Sequence, residues 1–195
     1  IGRVAAGAIA MKILEQMGIE VHAYVTQIGD IQIDPGKMTY ENIEKSPLRM
    51  PDLEASERAE EFLEKQMQEK NSAGGIIECV VKGVPAGVGE PVFGKLDAAL
   101  AQAVMSIGAV KGVEIGDGFL AAASNGSTNN DAFAVQDGQM IKRTNHSGGV
   151  LGGISDGSEL IVRAAIKPTP SIARPQSTVN IDKEEIEISI KGRHD

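Results

Sequence analysis

The chain has 195 residues, 42% of them hydrophobic and 24% charged, with a net charge of −8. That length can bury most of its apolar surface in one core, so residues 1–195 read as a single domain. No apolar run approaches the roughly 18 residues of a membrane span, and the acidic surplus repels nucleic acid over most of the surface. The lone cysteine, Cys79, excludes an internal disulfide and a multi-cysteine metal site, and it fits a reducing, cytoplasmic setting. It lies in the apolar run Ile76-Ile-Glu-Cys-Val-Val81 and reads as a buried bystander.

The chain opens on Ile1-Gly-Arg-Val-Ala-Ala-Gly7, helical in pattern but without a capping residue or a methionine, which reads as an excised fragment or a partly ordered chain. Over 2–17, Val4, Ala8, Ile9, Ile13 and Met17 share one face, and Gly18 stands where a left-handed helix stop belongs. Ile19, Val21, Ala23 and Val25 then alternate with polar neighbours, predicting a strand with His22 at its rim. Residues 30–51, with three prolines and little periodicity, read as a surface excursion. A second helix is expected from Asp52 to Lys70, its acidic run a solvated face.

A strand over 75–84 leads to a third helix with Leu96, Ala99, Leu100, Ala103, Val104 and Ile107 on its buried stripe. Strands are then expected at 110–116, 118–124, in a hairpin closed by Asp137-Gly138, and at 159–166, 178–182 and 185–191. The order predicts an α+β fold, a layered β-α-β sandwich of largely antiparallel sheets with outer helices. A dinucleotide fold is the rival, since Gly116-Asp-Gly-Phe-Leu-Ala121 fits G-x-G-x-x-A, but no helical period follows it.

The densest chemical signal is Thr144-Asn-His-Ser-Gly-Gly-Val-Leu-Gly-Gly-Ile-Ser155, followed by Lys167-Pro-Thr-Pro-Ser171. Bare backbone beside a lysine and hydroxyls suits an anion, because exposed N–H groups with an ammonium nearby form a cradle. The charge is also uneven: residues 1–139 hold 11 Lys+Arg against 20 Asp+Glu, whereas 140–195 hold 8 against 7. A phosphate-bearing ligand is therefore expected at this end. His146, inside the run, is open to reading as a general acid or as a bystander.

These runs, together with Arg174-Pro-Gln-Ser-Thr-Val179, Gly192-Arg-His-Asp195, Pro85-Ala-Gly-Val-Gly89 and Lys111-Gly-Val-Glu-Ile-Gly-Asp-Gly118, resemble the chorismate synthase family, in colinear order along nearly the whole chain. The resemblance implies a lyase that converts 5-enolpyruvylshikimate 3-phosphate into chorismate by 1,4-anti elimination of phosphate. It also implies reduced FMN as cofactor, with electrons from NADPH or an outside reductant, and a homotetramer. By motif it implies that Gly108 and Ala109 line the flavin and that Gly152 lies against it. Lys167, Pro168, Thr169, Pro170 and Ser171 would wrap it, Arg193 would bind it, and Asp195 would help manage its proton. Gly108 departs from the asparagine of many members, and Asn71 from their aspartate. The family's two catalytic histidines match none of His22, His146 and His194. A second expectation is therefore an inactive flavin-binding or assembly fragment.

Overall fold

The computed structural model describes residues 1–190, and the chain divides into two compact units. The first contains residues 1–23 and 78–164, the second 24–77 and the residues from 165 on. Strands β1 (Glu20–Ile28), β2 (Ile31–Gln32), β3 (Gly75–Lys82), β4 (Val110–Ile115) and β9 (Leu160–Ile166) form a sheet of order β2-β1-β3-β9-β4. Four strand pairs are antiparallel: β1 with β2, β5 (Phe133–Gln136) with β6 (Gln139–Lys142), β7 (Val150–Leu151) with β8 (Ile154–Ser155), and β10 (Gln176–Val179) with β11 (Glu185–Ile188). The mixture of helices and antiparallel pairs is the expected α+β class.

In the first unit, α1 (Gly2–Gln16) ends as its sequence predicts. Gly18 takes φ +75°, and the N–H groups of Gly18 and Ile19 donate to Glu15 and Leu14, closing the last turn. The apolar face expected to be buried is not: Val4, Ile9, Ile13 and Met17 are all exposed. The core instead gathers Ile19, Val84, Val150 and Leu160, with Leu96 and Leu100 of α4 (Leu96–Met105) against it. The rest of the expected α4 stripe is more open, with Ala99, Ala103 and Ile107 exposed.

Residues 118–124 are not a strand. Gly116 and Gly118 take φ +59° and +53°, which turns the backbone out of the extended region, and Gly118–Ala123 coils into a 3-10 helix. The Phe119 N–H donates to the Glu114 carboxylate at 2.9 Å and holds its start. A short helical segment therefore does follow Gly116, contrary to the sequence reading, but it is a 3-10 coil leading into α5 (Gly126–Asn129) rather than the helix of a βαβ unit. The hairpin β5–β6 closes on Asp137 and Gly138 with φ +52° and +77°, the type I′ geometry the dipeptide predicts.

In the second unit, the 30–51 stretch corrects the expectation of a surface excursion. Met50 and Pro51 are fully buried, Ile43 of α2 (Tyr40–Ile43) and Ser46 are buried, and Met50 packs with Ala55 and Ala59 of α3 (Leu53–Gln68). Met50 and Pro51 stay buried without stranded polar groups because local bonds serve their backbone. The Met50 N–H donates to Ser46 Oγ at 3.1 Å, and the Pro51 carbonyl accepts from Thr39 N–H. On β1 the alternation is also inverted locally: Tyr24, expected to face solvent, is 2% exposed and stacks tilted on Tyr40 at 5.8 Å. A ring that size offers more apolar area than Ala23 or Val25.

Candidate functional site

The glycine-rich run 144–155 belongs to the first unit, and an ionic cluster holds it. Lys142, the last residue of β6, is 4% exposed; its Nζ lies 2.7 Å from Asp156 Oδ2 and 3.2 Å from Asp131 Oδ2, and it also donates to Ser147 Oγ at 2.9 Å. Asp131 further accepts from Thr144 Oγ1, from the N–H groups of His146 and Ser147, and from Ser147 Oγ. Burial alone would raise the Asp131 carboxyl, but these donors outweigh it and hold it well below the usual carboxylate range. Asp156 is lowered too, its burial opposed by Lys142 and Ser158.

This wiring corrects the picture of an anion cradle over 146–149. The N–H groups of His146 and Ser147 go to Asp131, that of Gly148 to the Asn145 carbonyl, and that of Gly149 to Asn145 Oδ1 at 2.8 Å. The nearby ammonium, Lys142, is already enclosed by carboxylates. Much of the glycine is there for close packing: a Cβ on Gly116 would stand 2.2 Å from the His146 carbonyl oxygen, and one on Gly148 would stand 2.3 Å from Gly116 N. Gly152 is different. It takes φ +60° at the β7–β8 turn and has open space where a Cβ would project.

Two more features sit in this unit. His146 Nδ1 lies 2.7 Å from Asp117 Oδ2, both side chains about a third exposed, so the carboxylate fixes the imidazole's orientation. Gly108 and Ala109 follow the end of α4, both exposed, and the left-handed conformation falls on Ala109 (φ +69°) rather than on Gly108. The Leu96 N–H at the other end of α4 bonds the Gly153 carbonyl. Gly153 thus stands at the N-terminal end of the ten-residue α4, and Gly108 and Ala109 follow its C-terminal end. The structure does not bring Gly108 and Ala109 together with Gly152.

Lys167 to Ser171 lie in the second unit, where Thr169 and Ser171 line a groove of about 450 Å³. Its other polar residues are Gln66, in the last turn of α3, and Lys70, Asn71 and Ser72 just beyond it. Leu63, Met67, Ile172 and Ile190 supply an apolar wall. The two sides are tied together, Ser72 Oγ donating to the Thr169 carbonyl at 2.7 Å, while Gly74 packs so closely under the turn that a Cβ would meet Ile166 O at 2.6 Å. Lys167, Pro168 and Pro170 are exposed beside it. Arg193 and Asp195 lie outside the described residues.

Sequence reasoning missed Asp131, Asp117 and Lys142, whose partners are remote along the chain, and it named Asn71 only as a departure from a pattern. The hydroxyl and amide cluster Thr144-Asn-His-Ser147 was the available signal, since such a run beside glycines needs a buried acceptor.

His22 stands beside Glu20, its Nε2 3.4 Å from a carboxylate oxygen. Cys79 is half-buried, and burial together with the neighbouring Glu78 charge raises its thiol. Among the described residues no helix is long and apolar enough to cross a membrane.

The family model described as chorismate synthase matches residues 1–195. The chain is 63% identical over 196 residues to a chorismate synthase of Lachnoclostridium phytofermentans, covering 100% of this chain and 53% of that protein. It is 54% identical over 196 residues to one of Archaeoglobus fulgidus, covering 99% of this chain and 54% of that protein. A crystal structure of chorismate synthase superposes with a TM-score of 0.79 at 35% identity, over 85% of this chain and 54% of that one. The chain thus spans about half the length of the relatives it matches.

Proposed function

The chain belongs to the chorismate synthase family, and from that premise we propose that it forms about half of an enzyme that converts 5-enolpyruvylshikimate 3-phosphate into chorismate. The reaction breaks a C–O bond to phosphate and a C–H bond in a 1,4-anti relationship. Phosphate leaves with the electron pair, and the proton passes to a base. There is no net oxidation, so the enzyme is a lyase. The match over all 195 residues carries this reading and disfavours the inactive fragment.

Reduced FMN is the cofactor the family uses, and the groove of the second unit has the chemistry to hold it. Hydroxyls of Thr169 and Ser171 and the Asn71 amide face an aliphatic wall of Leu63, Met67 and Ile172, which suits a flat ring with one apolar and one hydrogen-bonding edge. Among the described residues the lining contains no Asp or Glu, so nothing in it repels an anion. When bound, reduced FMN supplies electron density that eases departure of the phosphate.

This chain's own residues do the holding. Thr169 and Ser171 donate to the cofactor, the Ser72–Thr169 bond fixes the turn that presents them, and Lys167 and Arg193 add charge. Gly152 gives an open stretch of backbone against which a planar group can lie, and Gly108 and Ala109 form a further flavin contact. Because α4 separates that pair from Gly152, we infer that they serve a second copy in a homotetramer, one cofactor touching more than one chain. Asp195 holds or removes a proton near the flavin, and histidines outside these 195 residues assist the leaving phosphate.

NADPH or a separate reductase supplies the reduced flavin, in the cytoplasm. The test is anaerobic conversion by the complete gene product with reduced FMN, following chorismate formation. Failure to form chorismate while FMN remains reduced and the protein folded overturns the reading.

A further inference from the structure

We propose that Lys70 is a phosphate-reading residue of the second-unit groove, an assignment that rests on the proposed flavin and phosphoester chemistry. The chain carries 27 acidic residues against 19 basic ones, yet the groove lining, among the described residues, holds no carboxylate and one ammonium, that of Lys70. No described residue forms an ion pair with it. Its backbone is also in a conformation that lysine does not favour. The Lys70 N–H donates to Met67 and the Asn71 N–H to Gln66 at 2.8 Å, which ends α3 with Lys70 at φ +55°, the position where glycine is preferred.

A lysine held at a glycine position, exposed, at the mouth of a carboxylate-free groove, points to a use for its charge. Asn71 accepts from Ser72 N–H at 3.0 Å, and Ser72 Oγ bonds the Thr169 carbonyl, so the backbone that carries Lys70 is coupled to the turn that carries Thr169 and Ser171. Lys70 supplies the charge, and Thr169 and Ser171 supply hydroxyls, the donor set of a phosphate monoester site.

A phosphate monoester can come from the flavin or from the substrate, and two binding arms separate them. In the complete gene product, dissociation constants for FMN and for riboflavin are measured for wild type, Lys70→Gly and Lys70→Arg. The constant for 5-enolpyruvylshikimate 3-phosphate is measured alongside them. Lys70→Gly is expected to weaken FMN about tenfold while leaving riboflavin unchanged, with Lys70→Arg restoring most of the loss. A tenfold loss confined to the substrate arm assigns the same charge to the substrate phosphate.

The melting temperature makes the control, since glycine fits φ +55° and Lys70→Gly should leave it unchanged or raise it. Loss of FMN and riboflavin binding in equal measure, or no loss in any arm, overturns the assignment. Wild type that forms chorismate alongside an indifferent Lys70→Gly sinks this inference alone, whereas wild type that neither binds FMN nor forms chorismate sinks the flavin reading as well.

Discussion

Lys142 and Asp156 form an ion pair of 2.7 Å in which both side chains are almost entirely shielded, 4% and 7% exposed. The pair carries the glycine loop: Lys142 closes β6, Asp156 follows β8, and between them Thr144 and residues 146–149 bond Asp131 or Asn145.

Lys142→Met should therefore destabilise the protein by about 3 kcal/mol, because it strands two buried carboxylates rather than removing one attraction. Denaturant unfolding measures this. A loss below about 1 kcal/mol would show that water reaches the cluster.

The same carboxylates set the acid limit. Asp131, Asp156 and Asp52 all have folded-state values below their unfolded ones, so the folded form binds fewer protons. Their contribution is fully present above the ordinary carboxylate range and is lost as pH falls below about 4. Stability measured between pH 6 and 3 should drop at the acid end, and Asp131→Asn should flatten that slope.

Two left-handed glycines of the first unit should respond differently to the same methyl group. Gly116→Ala places a carbon 2.2 Å from the His146 carbonyl at φ +59°, and a cost of 3 kcal/mol or more, about the level of a serious core defect, is expected. Gly152→Ala meets no atom and carries only the left-handed penalty of about 1–2 kcal/mol. Thermal unfolding of the two variants checks the order, and FMN titration of Gly152→Ala should show weakened binding that its stability does not explain.

Asp52 caps α3, accepting from Glu54 and Ala55 N–H at 3.1 and 3.3 Å, and it also accepts from Asp34 N–H at 2.9 Å. Asp52→Ala should cost about 2 kcal/mol, the upper end for a cap, because a second segment loses its acceptor. Asp52→Asn should recover part of it in the same unfolding assay.

What could be read from the sequence was local. The Gly18 stop and the Asp137-Gly138 turn follow from dihedral preferences of one or two residues and stand as expected. The 30–51 stretch misled because prolines signal irregular backbone and say nothing of depth; Met50 and Pro51 are irregular and buried together. The 118–124 run is apolar enough for a strand, but left-handed glycines just before it and at its start, Gly116 and Gly118, decide its course. In the 144–155 run, glycine content suggested free N–H groups, whereas those of His146 and Ser147 go to Asp131, 16 residues before Ser147. The motif pointed to Thr169 and Ser171, while Lys70 was named only as the last residue of the expected second helix.

The β5–β6 hairpin meets the ionic cluster at its root, through Lys142, and beyond that root Val135 and Met140 are 77% exposed. Its tip is therefore a handle mechanically separate from the chemistry. A short peptide or a dye attached between Asp137 and Gly138 would report on the protein without disturbing it, whereas any change of register at the root would turn Lys142 to the opposite side of the strand and release the glycine loop.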